Sequence, residues 1–206
     1  MIRKIALPLL LCAAVAPAAL AFHHQLSREQ VRDAYLIGRD QNRQAAFFAE
    51  YLHNPQLSET GPDVASVEFR TPYEQVAIRS RDNDLSNYSP LDAERDYEAQ
   101  RAEVIIRVLI YETQTFSFSA SDAQPDTAGF NFHISQDGRN IDYAKITVDD
   151  ATPVGAGSYG SAGLGGIDIQ LHFPVAAFKS TDPVTVEVLA PTSQTYSTTF
   201  DLAGLE

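Results

Sequence analysis

The sequence predicts an α+β protein: an antiparallel immunoglobulin-like β-sandwich of about seven short strands, with an N-terminal helical region and a helical insertion. Three observations carry this reading. Composition changes near residue 101, from a charged chain rich in Ala, Gln and Arg to one dominated by β-branched and aromatic residues. After that point apolar residues recur with period two in runs bounded by turn residues. Before it, segments headed by Ser or Thr carry apolar residues at helical spacing.

The chain opens with MIRKIALPLLLCAAVAPAALAFHH. Arg3 and Lys4 form a positive n-region, Ile5 to Ala16 an apolar stretch too short to span a bilayer, and Ala19-Leu20-Ala21 a small-x-small cleavage site. Residues 1–21 are therefore expected to be a Sec-type signal peptide cleaved after Ala21, delivering a secreted or periplasmic protein with no membrane span. Cys12 and Met1, the sole cysteine and methionine, leave with it. The exported chain then has no disulfide, thiolate ligand or cysteine nucleophile, and a packed core must stabilise it. Its formal net charge of −12 becomes more negative once Arg3 and Lys4 are gone. Such a field repels phosphate backbones and anionic lipid, which excludes nucleic acid as a partner.

Residues 22–62 form the predicted helical region. Ser27 and Gln30 make a capping box opening SREQVRDAYLIG, with Val31, Ala34 and Tyr35 on one face and Gly38 as an interruption. NRQAAFFAEYL resumes with Ala45, Phe48, Ala49 and Leu52 at helical spacing until Asn54-Pro55. Residues 63–206 form the sandwich domain, beginning with a strand over 64–70. Its helical insertion, at about 72–100, starts twice in the same way. Thr71-Pro72-Tyr73-Glu74 and Ser89-Pro90-Leu91-Asp92 each place a hydroxyl N-cap, a Pro at the first position and an acid at the third.

From Glu103 the period is two. EVIIRVLIYE is apolar on both faces, as expected of a central, covered strand. FNFHISQ follows, then Asp137-Gly138 as a type I′ hairpin signal into NIDYAKITV. IDIQLHF, VTVEVLA and TYSTTFDL complete the set. With no Trp and no cysteine pair, the wider sandwich architecture is expected rather than an antibody-type domain.

Four patterns could carry chemistry. Gly155, Gly157 and Gly160 satisfy G-x-G-x-x-G, but a phosphate loop needs a helix to follow, and GGIDIQLHF is a strand. The glycines read as a strand-to-strand connection and no cofactor is expected. Ser158 and Ser161 lack the flanking glycine pair of a nucleophile elbow. Asp82, Asp84 and Ser86 occupy positions one, three and five of an EF-hand-like loop over 82–94, yet the twelfth position is Ala93, between Asp92 and Glu94, where calcium needs a bidentate acid. Cleavage after Ala21 would place His24 third from a free amine, the arrangement that chelates Cu(II) or Ni(II) in a square plane. His133, His172, Asp168 and Glu187 share the solvent phase of their strands and could converge on a metal if those strands were neighbours.

The stretches LSREQVRDAYLIGRDQN, FRTPYEQV and YSPLDAERDYEAQ resemble a family of secreted bacterial proteins of unassigned function. The resemblance implies export and a helix-then-sandwich layout, and it brings no site residues with it. The function expected is a non-enzymatic binding or structural module that meets a protein or glycan at the cell envelope. The alternative is an extracytoplasmic metal-binding protein, using His24 for copper or nickel, or Asp82 and Asp84 for calcium.

Overall fold

The computed structural model describes residues 22–55, 60–85, 87–100, 102–118, 127–151 and 165–206. The predicted signal peptide, the glycine run of Gly155, Gly157 and Gly160, and Ser86, Ser158 and Ser161 lie outside them. The described residues form a mixed α+β structure of four helices and nine strands in two antiparallel sheets, arranged as a sandwich.

Helix α1 spans Arg28–Arg39 behind the predicted capping box, with the Ser27 side chain accepting from Gln30 N and the Gln30 side chain from Ser27 N. It runs straight through Gly38, contrary to the expected break. A Cβ at that position would lie 2.1 Å from the Ala77 carbonyl oxygen, so the glycine serves close helix packing rather than helix termination. Asp40 ends α1 and caps α2 (Gln41–Tyr51) through Asn42 N. The inward side of α2 differs from the expected one. Ala45 and Ala49 are exposed, and Phe47, Phe48 and Tyr51 turn inward. Two alanines bury little area, whereas three aromatic rings bury far more, and the helix rotates to suit them.

Strand β1 is only Leu52–His53; β2 spans Asp63–Arg70. A bulge between Val64 and Ser66 lets Val64, Val67 and Phe69 all face the core. Helices α3 (Pro72–Asp82) and α4 (Pro90–Ala99) then start at Thr71 and Ser89 as predicted. Next come β3 (Glu103–Tyr111), β4 (Asn131–Gln136), β5 (Arg139–Asn140), β6 (Lys145–Ala151), β7 (Gly166–Pro174), β8 (Val184–Leu189) and β9 (Thr195–Phe200). One sheet has the order β1-β2-β3-β7-β6 and the other β5-β4-β8-β9. The two helices of the insertion lie between β2 and β3.

Asp137 and Gly138 both have positive φ, as a type I′ turn demands. The strand expected after them is not continuous. Ile141 N still donates to Ile134 O at 2.8 Å, but the chain then leaves that sheet and β6 pairs with β7 in the other. Changing sheets lets Ile141 face the core from one layer and Ile146 and Val148 from the other.

Two apolar clusters result. Between the sheets lie Val104, Ile106, Val108 and Ile110 of β3, Ile167, Ile169, Leu171 and Phe173 of β7, and Val184, Val186 and Val188 of β8. Phe22 joins this core, its ring edge-on to Phe69 at 6.4 Å. The second cluster joins the helices through Val31, Ala34, Ile37, Tyr73, Val76 and Ala77. The chain's last turn is tied to both: Thr71 Oγ1 and Tyr51 Oη donate to Glu206 O at 2.6 and 3.2 Å.

Candidate functional site

The helices α1 and α4 lie antiparallel along a seam of charged rungs. Arg28 meets Glu98 at 3.1 Å, Arg32 meets Glu94, and Tyr35 Oη donates to Tyr88 O at 3.0 Å. One turn beyond Arg32 on the same face of α1 stands Leu36; one turn before Glu94 on α4 stands Leu91. The rungs therefore place the two leucines at the same end of the seam. Arg39, three residues past Leu36, holds Asp84 at 3.0 Å and donates to Asn83 O at 3.1 Å, which brings Leu85 to that end as well.

All three leucines are open to solvent: Leu36 is 56 %, Leu91 61 % and Leu85 fully exposed. They are three of the four large apolar side chains exposed among the described residues, the fourth being Tyr143. Single exposed leucines are ordinary; these three share the end of the seam where α1 stops, α3 ends and α4 starts. At the opposite end of the seam Arg28, Glu94, Tyr97 and Glu98 line a cleft of about 330 Å³. Burial and the Asp96 carboxylate push the Tyr88 hydroxyl up to about 12, keeping it a neutral part of this surface.

Asp82 and Asp84 do not come together. Asp82 ends α3 and pairs with Arg81 at 2.9 Å, whereas Asp84 turns to Arg39. Asp92 is committed to the cap of α4, Glu94 to Arg32, and Ala93 is buried. His24 is exposed, its ring 5.3 Å from that of Phe22. His133 lies opposite Glu187 on β4 and β8, but His172 and Asp168 are on β7 of the other sheet, so those four side chains split into two pairs. Among the described residues no three His, Cys, Asp or Glu side chains gather to hold a metal ion. His53 lies in β1 with its ring edge-on to Phe200 at 4.6 Å.

The outer face of the five-stranded sheet carries a polar network. Arg107 on β3 binds Asp168 with two parallel contacts of 2.9 and 2.7 Å and lies 3.5 Å from Glu68, which also accepts from Arg70. Burial lowers the Arg107 pKa, but its bonds to Asp168 and the Asp168 and Glu68 charges outweigh that and raise it above its ordinary value. Beside it stand Thr147, His172 and Glu103, with Thr147 Oγ1 3.2 Å from His172 Nε2 and Glu103 3.1 Å from Nδ1. The order is that of a hydroxyl, a base and an orienting acid. Among the described residues Nδ1 has no aligned hydrogen bond, although Glu103 lies within ion-pair distance of it.

No protein-family model and no curated protein matches the chain.

Sequence reasoning missed the leucine end because each leucine sits in a different element, and only the antiparallel rungs of α1 and α4 join them. Local sequence shows charges on each helix but not which charge on the other helix each one meets.

Proposed function

We propose that the chain is an exported, non-enzymatic recognition module that docks a protein partner at the cell envelope through Leu36, Leu85 and Leu91. The observation that carries this reading is the gathering of those leucines at one end of the α1–α4 seam. Covering each stabilises a complex by up to about 1.5–3 kcal/mol, which three side chains turn into useful affinity. A protein fits better than a glycan, because sugars are held by flat rings and fixed polar groups, and branched aliphatic side chains offer neither.

The scaffold is immunoglobulin-like in this reading. With β2 and β3 as strands A and B, β4 and β5 as C and C′, and β6 to β9 as D to G, the two sheets follow A-B-E-D and C′-C-F-G. Strand β1 is an addition beside A, and the helices are an insertion between A and B. Export follows from the n-region, apolar stretch and small-x-small site of residues 1–21.

Co-sedimentation of the purified protein with envelope preparations tests the docking surface. The double change Leu85→Asp with Leu91→Asp is expected to abolish retention while leaving the circular dichroism spectrum and Tm unchanged. Retention equal to that of the parent protein would refute the proposal.

A further inference from the structure

Beyond the recognition surface, we infer that the processed N-terminus is a Cu(II) or Ni(II) site built from Phe22, His23 and His24. The inference rests on the proposed cleavage after Ala21 and is independent of the leucine end. Cleavage there gives Phe22 a free amine and makes His24 the third residue. The amine nitrogen, the two backbone nitrogens of His23 and His24, and Nδ1 of the His24 ring then offer four nitrogens in one plane, the geometry both ions favour. Binding displaces the two amide protons and any proton on the amine, and no bond breaks.

Three features of the structure favour that chelate over a frayed, disordered terminus. Phe22 is 2 % exposed and seated against Phe69 in the sandwich core, which anchors the first residue of the processed chain. Both histidines are exposed, and among the described residues neither His23 N nor His24 N donates a hydrogen bond, so no fold contact is lost when they deprotonate. The His24 ring packs against the Phe22 ring, with centroids 5.3 Å apart, so the side chain of the third residue already lies beside that of the first. An anchored terminus loses less freedom on closing around the ion than a loose one. Three of the four donors of such a site belong to the backbone, so it needs no cluster of side chains.

The test uses the protein exported by cells, with its N-terminus sequenced and Cu(II) alone titrated in, followed by visible absorption and electron paramagnetic resonance. The expected result is a terminus of Phe-His-His and one four-nitrogen copper per chain. That signal is lost in His24→Ala and on acetylation of the amine, and kept in His23→Ala. A Phe22 terminus without that complex overturns the metal site and leaves the cleavage reading standing. A terminus at any other residue overturns both.

Discussion

Gly38 of α1 and Ala77 of α3 lie in such close contact that a single added methyl group at position 38 would fall 2.1 Å from the Ala77 carbonyl oxygen. The same methyl would lie 2.8 Å from Ser80 Cβ. Ala77 and Ser80 are fully buried, so neither can retreat into solvent. This contact holds α1 against α3, and α1 in turn positions Leu36.

Gly38→Ala is accordingly expected to destabilise the protein by about 1–3 kcal/mol, the usual cost of overpacking, even though alanine is the better helix former. Urea denaturation followed by circular dichroism measures it. Increased stability would mean that α1 and α3 are not in close contact at this position.

The Arg107–Asp168 pair answers a different question, whether the outer sheet face is a stabilising network. Arg107→Met removes the Arg107 contacts of Asp168 and, among the described residues, leaves Glu68 paired with Arg70. Since the Arg107 side chain remains 27 % exposed, solvent screens part of the loss, and about 2–3 kcal/mol is expected. Adding Asp168→Leu should restore much of that, because the stranded charge is gone. A double-mutant cycle by urea denaturation measures the coupling, and additive losses would contradict it.

Much of this architecture is legible in the chain. Ser27-x-x-Gln30, Thr71-Pro72 and Ser89-Pro90 mark helix starts because a hydroxyl cap and a first-turn proline act locally. Asp137-Gly138 marks its turn for the same reason. What is illegible depends on distant partners: Gly38 looks like a breaker until Ala77 is seen beside it, and 140–148 looks like one strand until its two halves join different sheets. Asp82 and Asp84 look like paired ligands until Arg81 and Arg39 draw them apart. His133, His172, Asp168 and Glu187 share a phase, but phase does not reveal which sheet a strand joins.

Glu74 supplies the pH dependence. It is the third residue of α3 and fully buried near Glu68, and among the described residues neither of its carboxylate oxygens has an aligned hydrogen bond. Burial raises its pKa well above the ordinary carboxylate range, the neighbouring Glu68 charge adds to this, and the Arg70 charge opposes it. A carboxyl whose folded pKa is raised stays protonated in the native state while it ionises in the unfolded chain. Its cost is absent below the unfolded value near 4.5 and grows as pH rises from there toward the folded pKa. Glu74→Gln removes this cost, so its stability relative to the parent should increase by up to about 1.4 kcal/mol per pH unit across that window. Denaturation at pH 5, 6 and 7 checks the slope, and a difference independent of pH would contradict it.

The leucine end predicts graded losses. Leu36, Leu85 and Leu91 stand on separate elements, so single changes to Asp should each weaken partner binding about tenfold or more, in line with about 1.4 kcal/mol or more per side chain. The double change Leu36→Asp with Leu91→Asp should abolish it. Asn131→Asp, on the exposed face of β4, should do nothing.

The most direct measurement is photo-crosslinking in cells that export the protein, with a benzophenone side chain placed in turn at positions 36, 91 and 131. The account predicts one discrete adduct of the same mass from positions 36 and 91, lost when Leu85 is changed to Asp, and none from position 131. Adducts of equal yield from all three positions, or none from 36 and 91, would contradict it.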